Sequence, residues 1–102
     1  MTRVRLFVYG SLQRGGLHHE ELAGAVYVHA ARTAPLYRVA AFGPYPALVA
    51  GNMSVTGELY ELAPDALPAL DAFEGSAYRR APVELADGSE AEAYFLAESA
   101  RP

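Results

Sequence analysis

The sequence predicts an α+β fold: a small, mixed but mostly antiparallel sheet, curled or closed into a β-barrel, with one or two helices packed outside. Three observations predict it. About six or seven short stretches read as strands, bounded by Gly, Pro, Asn and Asp. Most of them follow one another with no helix between, which favours antiparallel pairing, because parallel neighbours need a long crossover. Only one stretch, 64–75, carries convincing helix signals.

The chain opens with Val4, Leu6 and Val8 alternating against Arg3, Arg5 and Phe7, the period of a half-buried strand. It breaks at Tyr9-Gly10-Ser11-Leu12, where Gly10 permits a sharp turn and lets a ligand approach the main chain. Leu17 to Leu22 reads as a short helical turn ending near Gly24. Ala25 to Thr33 alternates again, and Pro35 to Val39 is a further short strand. Gly43-Pro44-Tyr45-Pro46 reads as a rigid bend into the apolar run Ala47 to Ala50, and Gly51-Asn52 as a turn. In the strand Ser54 to Leu62, an interior glycine, Gly57, signals either a bulge or a close backbone approach.

The helix begins at Pro64 with Asp65 behind it, tolerates Pro68 near its start, and ends at Gly75. Strands Tyr78 to Leu85 and Ala91 to Ala97 flank Asp87-Gly88, a hairpin signal. No internal repeat or linker divides residues 1–102, which read as a single domain.

Composition narrows the function. With 52% hydrophobic and 20% charged residues in 102, the chain reads as a packed globule that buries roughly two-thirds of its unfolded surface. There is no apolar run near the roughly 20 residues that span a bilayer, and the first residues do not read as a signal peptide. A cytoplasmic protein with no membrane partner is the expectation. The absence of cysteine excludes disulfides, thiol catalysis and thiolate metal sites. The net charge is −4, every basic residue is arginine, and the only adjacent basic pair is Arg79-Arg80, so no nucleic-acid surface is expected.

Glu74 is the strongest candidate for chemistry. It stands at the carboxyl end of the helix, near its apolar edge, where the dipole and burial both raise a carboxyl pKa towards neutrality. That suits a group which both takes and gives a proton; a solvated helix-end glutamate is the plain alternative. Arg79 and Arg80 would oppose the shift if close. Asp71, three residues earlier on the same face, couples with Glu74, orients the helix or caps a neighbouring amide.

The loop after the first strand is either an ordinary strand end or a concave nest of backbone N–H groups. Ser11 lacks the Gly-x-Ser-x-Gly elbow and a His–Asp partner at any suggestive spacing, so a serine hydrolase is disfavoured. Gly10 to Gly16 has no phosphate-loop ending. His18-His19-Glu20-Glu21 lacks metal-ligand spacing and reads as a solvated helical face. The tyrosines Tyr9, Tyr45, Tyr60, Tyr78 and Tyr94 read as core or rim residues able to line a small pocket.

Taken together, five pieces resemble the gamma-glutamylcyclotransferase-like family. They are Val8-Tyr9-Gly10-Ser11-Leu12 with Gly15, Tyr45-Pro46-Ala47-Leu48, Gly57-Glu58-Leu59-Tyr60, Leu70-Asp71 with Glu74-Gly75, and Tyr78 with Arg80. The nearest branch by resemblance is the gamma-glutamylamine cyclotransferase and avirulence-induced-gene-like group. The resemblance implies a small mixed barrel with flanking helices. It implies that Tyr9, Gly10, Ser11 and Leu12 bind the glutamyl portion of a small gamma-glutamyl substrate through backbone amides, and that Glu74 is the general base and acid. The implied reaction releases 5-oxoproline and an amine by intramolecular aminolysis, with no metal or other cofactor. The alternative is a non-catalytic module of the same fold that binds a small metabolite. The oligomeric state and the identity of the amine are left open.

Overall fold

The computed structural model describes residues 3–10, 12–16, 18–22 and 24–97. Seven strands occur in chain order: β1 (Val4–Val8), β2 (Val26–Arg32), β3 (Tyr37–Phe42), β4 (Tyr45–Ala50), β5 (Thr56–Leu62), β6 (Tyr78–Glu84) and β7 (Glu90–Leu96). A 3₁₀ turn, His19–Leu22, precedes β2. A second, Pro64–Ala66, runs into the helix α1, Leu67–Glu74.

The two prolines account for that divided helix. Pro68 has no N–H to offer the Pro64 carbonyl, so regular α-helical bonding is delayed, and Leu67 N–H closes a tighter turn onto Pro64 O instead. At the far end Gly75 takes φ 80° while its N–H still bonds Asp71 O at 3.1 Å.

One sheet contains all seven strands, in the order β2-β5-β1-β7-β4-β3, with β6 alongside β7. The β1–β5, β2–β5, β3–β4 and β6–β7 ladders are antiparallel. The β1–β7 and β4–β7 contacts are parallel and rest on single register pairs, Leu6 with Glu92 and Leu48 with Phe95. The sheet is therefore mostly antiparallel, as the sequence predicts. It curls far enough for a lone antiparallel bridge, Thr33 with Leu85, to join the ends of β2 and β6. The shape is barrel-like without a continuous closing ladder.

β6 occupies one edge of β7 along its whole length, from Tyr78 opposite Leu96 to Glu84 opposite Glu90. The other edge is shared by β1 near Glu92 and by β4 near Phe95. Each strand has only two edges, so β1 and β4 must part where this handover occurs. A cavity lined by Tyr9, Gly10, Pro46 and Tyr94 opens at that parting.

Leu6, Phe7 and Val8 are all buried, so the second half of β1 is covered on both faces rather than one. Leu6 and Val8 pack with Leu62, Tyr60, Leu67 and Leu70 beneath α1. Phe7 packs inside the curl with Leu48, Leu59, Val83 and Phe95. At Gly57 the close-approach reading is the one observed: a Cβ there would lie 2.1 Å from Val8 O. The irregularity in that ladder falls on β2 instead, between Tyr27 and His29.

Gly43 and Pro44 form a two-residue hairpin loop between Phe42 and Tyr45, with Gly43 at φ 60°. A positive φ at the first loop position is what a II′ hairpin turn requires. Tyr45 and Pro46 thus already belong to β4, and the predicted bend is two residues long rather than four. Among the described residues no helix is long and apolar enough to cross a membrane.

Candidate active site

β1 leads into Tyr9 and Gly10 at the point where the sheet divides, and α1 brings Glu74 to the same cavity. The cavity has a volume of about 250 Å³. Its walls include Tyr9, Gly10 and Leu12 from the opening segment, and Glu74. Ser11, named with these as a glutamyl-binding residue, lies outside the described residues.

Glu74 is partly buried, and burial raises its carboxyl pKa to about 7. Among the described residues it has no hydrogen-bond or ion-pair partner. The sequence expectation invoked the helix dipole as well as burial; burial is the cause found. The phenols of Tyr9, Tyr78 and Tyr94 are also shifted upward, chiefly by burial and to a lesser degree by the charge of Glu74. Three hydroxyl-bearing side chains from β1, β6 and β7 thus lie within electrostatic reach of one carboxyl.

Arg80 does not neutralise Glu74, because it is engaged elsewhere. Its Nε and Nη2 donate to the two oxygens of Asp71 at 2.9 and 3.2 Å, and Nη1 donates to Glu92 at 2.9 Å. Tyr94 Oη adds a 2.7 Å bond to Asp71 Oδ1. The Arg80 guanidinium, opposed by burial and assisted by Tyr94, holds the Asp71 carboxyl below its usual range. Of the roles open for Asp71, the observed one is orientation: it ties α1 to β6 and β7, one turn before Glu74.

The opening segment is anchored just as specifically. Gln13 N–H and its side-chain amide both donate to Gly10 O, at 3.1 and 3.3 Å. Arg14 N–H and Nε donate to Glu58 at 2.9 and 3.3 Å, and the Arg14 guanidinium lies 3.9 Å above the Tyr27 ring. Gly10 itself does not occupy the left-handed region. Its constraint is space, since a Cβ would come 3.0 Å from Pro46 Cγ.

Four of the five tyrosines singled out line the cavity: Tyr9, Tyr45, Tyr78 and Tyr94. Tyr60 instead donates to Glu58 in the neighbouring anchor. His18 was read as part of a solvated face, and the structure corrects this. Its ring lines the cavity, 5.1 Å from Phe73 and 6.4 Å from Tyr45. His19 is half-buried too, with Nδ1 2.9 Å from Leu12 O. The 3₁₀ geometry of that turn, and the folding of the loop over α1, have no signature in local residue spacing. Among the described residues no group of His, Asp and Glu is arranged to hold a metal ion.

Comparison with known proteins shows the family. The family model described as "Gamma-glutamyl cyclotransferase, AIG2-like" matches residues 6–102. The chain is 36% identical over 86 residues to a Vibrio cholerae serotype O1 protein named "Putative gamma-glutamylcyclotransferase", covering 82% of this chain and 75% of that one. Among solved structures, a uropathogenic E. coli-specific protein superposes with a TM-score of 0.90 at 27% identity, over 98% of this chain and 84% of that one. An AIG2-like protein from Mus musculus superposes with a TM-score of 0.73 at 25% identity, over 100% and 81%. The chain belongs to the AIG2-like gamma-glutamyl cyclotransferase family.

Proposed function

We propose that this protein converts a small gamma-glutamyl compound into 5-oxoproline and a free amine, with Glu74 as general base and then general acid. The observation that carries the reading is the environment of Glu74: a partly buried carboxyl with a pKa of about 7, facing the same cavity as the Tyr9-Gly10-Leu12 segment.

The α-amino group of the substrate attacks its own γ-carbonyl. Near neutral pH that amine is protonated and cannot attack, so a base must take its proton. A carboxyl with a pKa near 7 is about half ionised there, and it retains enough acidity to return the proton to the departing nitrogen. The new C–N bond closes the five-membered ring as the γ-amide C–N bond breaks. The α-nitrogen sheds two protons between ammonium and lactam N–H, and Glu74 relays them in turn to the departing nitrogen, which leaves as an ammonium. No water enters the balance. Backbone amides of residues 10 to 12 would hold the substrate's α-carboxylate and support charge developing on the γ-carbonyl oxygen. The wall of buried side chains favours the folded-back conformer that ring closure needs.

The experiment is 5-oxoproline release from a panel of gamma-glutamyl amides, comparing wild type with Glu74→Gln. Wild-type turnover with a loss of at least roughly a hundredfold in the variant is expected. Turnover retained by Glu74→Gln would overturn the assignment. Binding of a gamma-glutamyl compound without turnover by wild type would favour the non-catalytic module.

A further inference from the structure

The mouth of the cavity is ringed by aromatic side chains. Phe73 and Tyr45 expose 39% and 47% of their surface there, while the His18 ring lies 5.1 Å from Phe73 at an interplanar angle of 62°. Resting on the cyclotransferase reading, we propose that these rings form a seat for the departing amine, and that the preferred substrates carry an arylalkyl group on the γ-amide nitrogen.

Size comes first. A cavity of about 250 Å³ lies below the roughly 300–1,000 Å³ of sites that engulf drug-sized ligands. It holds a glutamyl unit with limited room beyond it, so a bulky group on the γ-nitrogen extends to the mouth. There it meets His18, Tyr45 and Phe73.

Charge comes second. No described lysine or arginine lines the cavity, and Glu74 is its only described carboxylate. A carboxylate on the amine portion, as in a gamma-glutamyl amino acid, finds no basic partner beyond His18. An ammonium there competes for the one carboxyl that the proton transfer occupies. An uncharged, flat group loses nothing on leaving water and gains ring contacts of the edge-on kind that His18 and Phe73 already make with each other.

Shape comes third. Phe73 is the penultimate residue of α1, beside Glu74. A ring packed on Phe73 is therefore held at a fixed offset from the acid/base, on the side where the leaving nitrogen must receive its proton.

The test compares γ-glutamyl-2-phenylethylamide with γ-glutamyl-ethylamide, both amides of primary amines, together with γ-glutamylglycine and γ-glutamyl-1,4-diaminobutane. Initial rates of 5-oxoproline release give kcat/KM for each. The phenylethylamide is expected to lead the ethylamide by about tenfold, a range that one or two aromatic contacts supply. In Phe73→Ala, and separately in Tyr45→Ala, that ratio is expected to fall towards one. Equal kcat/KM for the two amides would overturn the inference and leave the cyclotransferase reading standing. So would a preference for the glycine or diaminobutane compound, or a ratio unchanged in both variants. Release of 5-oxoproline from none of the four would overturn the cyclotransferase reading, and the seat with it.

Discussion

The hydroxyl of Tyr9 donates to the carbonyl oxygen of Tyr94 at 2.6 Å and accepts the N–H of Leu48 at 3.0 Å. One phenol thereby joins β7 to β4 at the point where β1 gives up the edge of β7. It stands in for the main-chain bonds that a continuous ladder would supply. The Tyr9 ring meanwhile forms part of the cavity wall, stacked on Phe7 at 6.3 Å and 23°. The residue ties two strands with its hydroxyl and lines the cavity with its ring.

Tyr9→Phe keeps the ring and removes the bridge. Leu48 is fully buried, so its N–H would be left without an acceptor, a cost of about 1–3 kcal/mol. Urea denaturation should show that loss as a lower midpoint at an unchanged m-value. An unchanged midpoint would mean that water replaces the hydroxyl and the bridge contributes little.

Glu74 makes stability depend on pH with a defined sign. Its folded pKa of about 7 lies above the ordinary value of 4.5. Below about pH 4.5 both states are protonated and the site costs nothing. From there to about 7 the unfolded chain ionises while the folded chain holds its proton, so stability falls as pH rises, and above that range the loss is constant. Glu74→Gln should raise the Tm relative to wild type at pH 8 by the equivalent of about 1–2 kcal/mol, less than the full shift because the carboxyl keeps contact with water. The difference should vanish near pH 4.5.

The same ionisation should shape turnover. The base form of Glu74 grows in as pH rises, so kcat/KM should climb along an acid limb centred near 7. Asp71→Asn deletes a negative charge one helical turn away and leaves Arg80 incompletely paired. Burial alone raises the Glu74 pKa, so the limb should stay centred near 7 while activity falls with the loss of the tie between α1 and Arg80. A limb that moved would show that Asp71 acts on the Glu74 charge and not on geometry alone.

Gly57→Ala should be among the most damaging small substitutions. The added methyl would meet Val8 O at 2.1 Å and the Phe7 ring at 2.9 Å, and neither β1 nor a buried ring yields easily. A loss of about 1–3 kcal/mol is expected for such overpacking, read from the Tm. Because Val8 leads into Tyr9 and Gly10, substrate KM should rise as well.

Legibility differed from element to element. The β6–β7 hairpin was readable because Asp87-Gly88 encodes its own turn, with Gly88 at φ 87° and Asp87 Oδ1 accepting Ser89 N–H at 2.9 Å. The end of α1 was readable from Gly75, whose backbone constraint is local. Its start was not: Pro68 delays regular α-helical bonding, so the helix read from Pro64 begins at Leu67. Strand β2 was located correctly, yet its facing was not legible. Val26 and Val28 are exposed, while Tyr27 packs towards Tyr60 with ring centroids 5.6 Å apart. An end strand has no neighbour on one side, and alternation alone does not say which face the sheet will cover.

The residues by themselves determined where most backbone turns and strands fall, and the family resemblance they carry is what joined Glu74 to the Tyr9-Gly10 segment. The turn and strand signals act over a few bonds. Folding alone decided that Asp71 and Glu92 would engage Arg80, leaving Glu74 with no described counter-ion, and that His18 would join Phe73 at the cavity mouth. A carboxyl pKa near 7 is a property of buried volume and of which charge lies beside which. Both depend on contacts between segments far apart in the chain, so neither exists until the sheet has curled.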